Sequence, residues 1–322
     1  MSEPSLAGSE GVAAALHTPI LSWYAENARD LPWRDRAASP WSILVSEVML
    51  QQTPVARVEP IWRSWMHRWP TPRALAQESG GEAVRAWGRL GYPRRAIRLH
   101  ACATTISAAH GGEVPREMAE LLALPGVGEY TAGAVAAFAF GQRTVVVDTN
   151  VRRVLARAVT GRALPAASLT RDETALARAA LPHAETDSVR WNVAVMELGA
   201  LVCTARTPAC QRCPVQDRCA WVSAGSPAYD GPPRRGQAWE GTDRQCRGTL
   251  LHLLREHDGW LPRDAFDAAW PQDPVQLQQC LDALVTEGLI QRSTDPAPDV
   301  SHDSAPPVAN SEGAEWYGFA AG

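Results

Sequence analysis

A chain of 322 residues, 45% of them hydrophobic and with a formal charge of -4, can bury a sizeable core and divide into two or three domains. No stretch approaches the roughly 18 consecutive apolar residues of a membrane span. The start "MSEPSLAGSEG" also lacks the basic and apolar regions of a signal peptide, which points to a cytoplasmic protein. All 31 basic residues are arginine. Residues 1 to 225 carry 24 of them against 20 acids and residues 226 to 322 only 7 against 15, so a polyanionic partner would meet the first part.

Residues 1 to 16 are expected to be a flexible N-terminus, and residues 17 to 225 a helical core. Its helical segments begin with "TPILSWYAENA", where Thr-Pro reads as a helix start, and continue with "PWSILVSEVMLQQTPVARVEPIWRSWMHRW". Further helices follow through "PRRAIRLHACATTISAAHG", "EYTAGAVAAFAFG", "TNVRRVLARAV" and "DSVRWNVAVMELGALVC", with apolar residues recurring at three and four. Only Val145 to Val147 reads as a strand. The Gly-, Pro- and Ser-rich residues 226 to 243 form a linker. A small domain over 244 to 322 is then predicted from helices at Cys246–His257, Arg263–Ala269 and Pro274–Glu287. "GLIQR" and "EWYGFA" would pair as a hairpin in a winged-helix pattern, and the acidic residues 293 to 315 would be a mobile insertion.

Cys203, Cys210, Cys213 and Cys219 have the spacing C-x6-C-x2-C-x5-C. Structural zinc sites usually present two short knuckles, and here there is one, so an iron–sulfur cluster held by four thiolates suits the spacing better than a zinc knot. The loop carries Arg206, with Arg212 and Arg218 nearby, guanidiniums suited to phosphates. A structural cluster that shapes a DNA-contacting loop is expected.

Two carboxylates stand in unlike surroundings. Glu47 shares a helical stripe with Ile43 and Leu50, and desolvation there raises its pKa so that it stays protonated near neutral pH. The bland alternative is a buried acid paired with an arginine. Asp148 follows "TVVV" and opens the next helix, where amide donors and the dipole favour the ionised form. Its bland alternative is a plain N-cap. One neutral acid and one charged one is the division of labour that breaks glycosidic bonds.

In "LPGVGEYT", Gly126, Val127 and Gly128 turn one helix into the next. Glycines there permit positive φ and leave amides open to a phosphate oxygen. The order of this hairpin, the aspartate and the cysteine loop resembles the helix-hairpin-helix DNA glycosylases of the iron–sulfur-containing endonuclease III-like superfamily. With "LPWR", "SEVMLQQT", "LGY" and "MELGALVC" added, residues 17 to 225 resemble the MutY-type adenine DNA glycosylases. The resemblance implies an all-α, two-lobed helix-hairpin-helix glycosylase core, with one lobe over 42 to 147 and an iron–sulfur lobe from 17 to 41 with 148 to 225. It further implies a 4Fe-4S cluster on the four cysteines and a monomer that acts on double-stranded DNA containing a mispair.

By the same resemblance, Glu47 would protonate a flipped adenine and Asp148 would stabilise or trap the sugar cation. Tyr130 and Asn150 would support Asp148, Gln52 and Tyr92 would fill the gap in the base stack, and Trp33, Arg34 and Leu50 would line the adenine pocket. Gln51 belongs to the same DNA-facing motif. Bifunctional members of the superfamily place a lysine where this chain has Tyr130, and no lysine exists here to form a Schiff base. The expectation is therefore base excision repair by a monofunctional enzyme that removes adenine opposite 8-oxoguanine or guanine and leaves the strand intact.

Three features depart from the family. Thr149 stands where glycine is usual, Val193 stands where a polar residue is usual, and the C-terminal part lacks the pattern of the Nudix-like domain that reads oxidised guanine. That part is acidic and is expected to pack on the core or bind a protein, leaving recognition of the opposite base to the core. The competing readings are a thymine or uracil mismatch glycosylase and a non-catalytic damage sensor; Glu47 favours adenine over the first, and the intact pair of acids speaks against the second.

Overall fold

The computed structural model describes residues 6 to 232, 239 to 294 and 315 to 320. Fifteen α-helices are present among them. In chain order they are α1 (Leu6–Asn27), α2 (Pro40–Leu50), α3 (Val55–Arg68), α4 (Pro72–Ala76), α5 (Gly80–Ala86), α6 (Arg94–Ala109), α7 (Met118–Ala123), α8 (Glu129–Phe140), α9 (Thr149–Ala158), α10 (Arg171–Ala179), α11 (Glu185–Leu201), α12 (Ala220–Ser223), α13 (Asp243–Arg255), α14 (Arg263–Ala269) and α15 (Pro274–Thr286). Three short strands, β1 (Leu261–Pro262), β2 (Ile290–Ser293) and β3 (Trp316–Phe319), complete an otherwise all-α molecule. No described helix is long and apolar enough to cross a membrane.

The chain divides into two compact units. The first takes in residues 1–47, 116–123 and 127–233, and the second 48–115, 124–126 and 234–322. This differs from the expected lobes, because the division runs through α2 after Glu47 and assigns α8 to the first unit. In that unit α1, α9, α10 and α11 enclose a core that includes Leu16, Ile20, Val154, Leu155, Trp191 and Leu198. The expected flexible N-terminus is corrected here, since α1 begins at Leu6 and buries Ala13 and Leu16 completely. Pro19 lies inside α1 and does not start it, because Ala13, Leu16 and Ile20 extend the apolar stripe across it at three- and four-residue spacing. Residues Val145 to Val147 form no strand.

In the second unit Trp65 stacks edge-on against Trp69 and Trp87, tying α3 to α5. The "SEVMLQQTPVARV" stretch breaks into α2 and α3, with Gln52 in the break at φ 56°. The winged-helix pattern is present: α13, α14 and α15 pack on one another, and β2 pairs antiparallel with β3. The strand β1, with no sequence signal of its own, pairs on the other edge to give the order β1-β3-β2. The predicted insertion over 293 to 315 lies outside the described residues except at its two ends.

This domain packs on α5. Arg85 donates to the carbonyls of Leu254, Arg255 and His257, capping the C-terminus of α13. Arg255 returns a bond to the Val84 carbonyl, and Arg94 pairs with Glu287 at 2.6 Å. The amide of Gly81 donates to the Ala320 carbonyl at 3.1 Å, and a Cβ on Gly81 would stand 2.3 Å from that oxygen. Only glycine admits so close a backbone.

Candidate active site and cysteine loop

Every residue from Trp41 to Met49 is buried, so α2 is enclosed all round and not merely along an apolar stripe. Glu47 is therefore enclosed, 5% exposed, and its carboxyl is pushed up to about 7, first by burial. Its hydrogen-bond donor is the Tyr130 hydroxyl, 3.0 Å from Oε2. The bland reading of Glu47 as half of an arginine pair is thus displaced, for Arg34 acts on it only through space and weakly. Tyr130, in the first turn of α8, was expected to support Asp148. Its hydroxyl bonds Glu47 instead, and burial holds its own pKa well above the ordinary value, so it serves as a neutral donor.

Asp148 is the N-cap of α9, accepting from the Val151 amide at 2.7 Å. Asn150 donates from Nδ2 to Oδ2 at 2.6 Å. These bonds and Arg153 favour the ionised carboxylate, yet burial outweighs them and lifts Asp148 above its ordinary value. The expectation that the helix N-terminus alone decides its charge state is corrected accordingly: enclosure is the larger effect. Asp148 in turn adds a through-space contribution that raises Glu47, after burial.

Sequence reasoning missed three groups around this pair. The first is Glu197, whose fully buried carboxylate receives four bonds of 2.7 to 2.9 Å from the Arg29 amide and guanidinium and from Arg34. These hold it near pKa 2 despite its burial, and they set the rotamer of Arg34 beside buried Trp33. The apolar spacing of "WNVAVMELG" gave no sign of an ionised residue inside it.

The second is Arg153, which donates to the Asn150 side chain at 2.8 Å and to the carbonyls of Gly199 and Cys203, each at 2.6 Å. The third is Gly199, where a Cβ would stand 2.6 Å from the Asn150 Cβ and 3.0 Å from its backbone oxygen. Gly199→Ala is expected to push Asn150 off Asp148 and destabilise the first unit by about 1 kcal/mol or more, measured by urea unfolding.

The Asp148 helix also organises the cysteine loop. Arg157 donates to the Cys203 sulfur at 3.4 Å and to the carbonyls of Thr204 and Ala205. Cys203, Cys213 and Cys219 pack on the core of the first unit. Burial raises the Cys213 thiol to about 11 and lifts Cys210 as well, and the neighbouring cysteines raise both further through space. Among the described residues no three His, Cys, Asp or Glu side chains are grouped to hold one metal ion. A cluster that offers each thiolate its own iron needs no such meeting, and four cysteines are the donor set of such clusters. Arg206, Arg212 and Arg218 are exposed on this loop.

Gly126 has φ 78° and packs over Arg98, while Gly128 is extended and serves as the N-cap of α8 with no side chain to cover its first-turn amides. Val127 between them is buried. Leu50, Gln51, Gln52, Tyr92 and Gly126 belong to the second unit. Trp33, Arg34, Glu47, Tyr130, Asp148, Asn150 and the cysteines belong to the first. Val193 is half-buried on α11.

Comparison with known proteins matches residues 45–176 to the HhH-GPD superfamily of base excision DNA repair proteins and residues 203–219 to the iron–sulfur binding domain of endonuclease III. The adenine DNA glycosylase of Mycobacterium tuberculosis (strain ATCC 25618 / H37Rv) is 54% identical over 293 residues, covering 91% of this chain and 95% of the relative, a span that reaches into the C-terminal domain. That of Mycolicibacterium smegmatis is 52% identical over 276 residues, covering 86% and 92%. Among solved structures, a thermostable thymine-DNA glycosylase superposes with a TM-score of 0.59 at 26% identity, over 66% of this chain and 98% of that one. The helical architecture, the paired buried acids and these likenesses converge: the chain belongs to the adenine DNA glycosylases of the HhH-GPD superfamily and carries their iron–sulfur domain.

Proposed function

We propose that this chain is a monofunctional, cytoplasmic glycosylase that binds double-stranded DNA, as a monomer, and hydrolyses the N-glycosidic bond of adenine opposite 8-oxoguanine or guanine. The observation that carries the reading is Glu47: a buried carboxyl at about 7, hydrogen-bonded by a neutral tyrosine and facing the charge of Asp148. Below pH 7 Glu47 carries a proton and donates it to the ring nitrogen of a flipped adenine, making the base a better leaving group. Asp148, fixed by Val151 and Asn150, stabilises the positive charge that develops on the sugar. Water completes the hydrolysis, and the absence of any lysine leaves no side-chain amine for strand cleavage through a Schiff base.

Trp33 and Arg34, the latter oriented by Glu197, would line the adenine pocket with Leu50, and Gln52 and Tyr92 would fill the vacated stack beside Gln51. The hairpin amides at 126 to 128 and Arg206 would grip phosphates. When bound, the 4Fe-4S cluster supplies a cross-link for the loop; Cys203, Cys210, Cys213 and Cys219 would hold it, and α9 shapes that loop through Arg153 and Arg157.

The test is a panel of duplexes containing A opposite 8-oxoguanine, A opposite G, T opposite G and U opposite G. Alkali-dependent cleavage of the first two is expected, without any borohydride-trapped adduct. Cleavage of the T or U duplexes alone would transfer the assignment to a mismatch glycosylase, and silence on all four would leave only a damage-binding role.

A further inference from the structure

Among the described residues, three that are not glycine adopt positive φ: Gln52 at 56°, Tyr92 at 49° and Ser226 at 55°. Such residues cost of order 1 kcal/mol or more each and persist only where their surroundings over-determine them. Two of the three are the residues assigned above to fill the base stack. They lie 40 residues apart in sequence, in the break after α2 and in the turn before α6, and a single side chain reaches both.

That side chain is Arg95, 8% exposed at the start of α6. Its Nη1 donates to the carbonyls of Val48, Met49 and Gln51 at 2.9, 3.0 and 2.6 Å. Val48 and Met49 lie in the last turn of α2, whose carbonyls have no partner within the helix. The Arg95 Nη2 donates to Thr53 Oγ1 and to the Gly91 carbonyl, both at 3.0 Å. Bonds from one planar group therefore bracket Gln52 on both sides and end on the residue before Tyr92. The Arg95 amide donates to the Tyr92 carbonyl at 3.0 Å, and the guanidinium lies over the Trp87 and Tyr92 rings, 5.2 and 5.6 Å from their centroids. Thr53 completes the link by donating to the Leu90 carbonyl. The five acceptors are spread over the end of α2, the break after it and the turn before α6. A lysine, with three donors on one atom and no plane to stack, cannot satisfy them in this fork geometry.

We propose that Arg95 is a positioning residue for base release, a clamp that sets the Gln52 and Tyr92 loops in one arrangement so that both side chains enter the stack together. The clamp's role in the reaction rests on the gap-filling assignment of those two residues.

The test compares Arg95→Lys, Tyr92→Ala, Gln52→Ala and the double variant Arg95→Lys/Tyr92→Ala. Three readouts are used: single-turnover release of adenine opposite 8-oxoguanine, fluorescence of 2-aminopurine placed beside the target base, and amide exchange of the full chain. Arg95→Lys is expected to slow release about tenfold or more with iron content unchanged. It should also weaken the fluorescence rise and accelerate exchange at residues 51 to 53 and 90 to 92 together. The double variant should be little slower than Tyr92→Ala alone, since a misplaced tyrosine has less to lose.

Losses that multiply, or exchange that rises in only one of the loops, overturn the clamp. If Arg95→Lys does not fold, Thr53→Val removes one of the acceptors and should show the same coupled exchange and the same non-additivity; its failure to do so overturns the clamp equally. Wild-type release by both Tyr92→Ala and Gln52→Ala sinks the gap-filling assignment instead, and the exchange readout tells the two failures apart.

Discussion

Glu47→Gln is expected to slow adenine release by about a thousandfold, within the range spanned by general acid catalysis, while duplex binding stays close to that of the unaltered chain. The glutamine keeps the shape of the side chain and still accepts from Tyr130, but has no proton to give. The pH dependence should identify the same group. Glu47 sits near 7 against an ordinary 4.5, so its protonated form is populated below pH 7 and lost as pH rises through 7. Single-turnover release should therefore fall on the alkaline side of 7, and that limb should be missing from the residual rate of Glu47→Gln. An unchanged rate in the variant, or an alkaline limb that persists in it, removes the general-acid role.

The stability of the same variant should move the other way. The folded chain binds the Glu47 proton more tightly than the unfolded chain, so this carboxyl weakens the fold progressively from pH 4.5 up to 7 and costs most above it. Glu47→Gln should melt higher than the unaltered chain at pH 8, and the difference should shrink as the pH is lowered toward 4.5. A proton donor kept ready in an apolar helix is maintained at the expense of stability.

Glu197→Gln is expected to destabilise the first unit by about 3 to 5 kcal/mol, the usual cost of removing one partner from a buried ion pair. With no carboxylate, Arg29 and Arg34 face each other without compensation, and the amide presents donors where they also donate. Urea unfolding read by tryptophan fluorescence measures the loss, and a change below about 1 kcal/mol would show that the cluster contributes little, as exposed pairs do. The pH sign is opposite to that of Glu47. Glu197 is held near 2, so its contribution is complete above an ordinary carboxylate pKa and is lost as pH falls toward 2. Because Arg34 takes its orientation from Glu197, the variant should also raise the KM for the adenine duplex.

The sequence made some of this legible through local signals. The helices of the core, the hairpin glycines, the cysteine spacing and the pairing of "GLIQR" with "EWYGFA" are each written within a few residues. Glu47 stood out because it shares a helical stripe with Ile43 and Leu50, and Asp148 because it follows the apolar run "TVVV". What was not legible depends on residues far apart in the chain. Tyr130 reaches Glu47 across 83 positions, and Arg29 reaches Glu197 across 168. Asp148 was read from its own helix, whereas its pKa is set by what encloses it. Pro19 imitated a helix start, and only the burial of Ala13 and Leu16 shows the helix running through it.

The order of strands in the C-terminal domain bears on how the chain is made. Because β3 lies between β1 and β2, those two strands leave the ribosome with nothing to pair with, and they wait until residues 316 to 319 arrive. The backbone contact at Gly81 waits still longer, since its partner Ala320 is synthesised 239 positions later. A contact of such high order is slow to close and leaves apolar surface open meanwhile. Nascent chains halted anywhere between β2 and β3 should thus be the species most in need of a chaperone, with the first unit already folded and the second still unsealed.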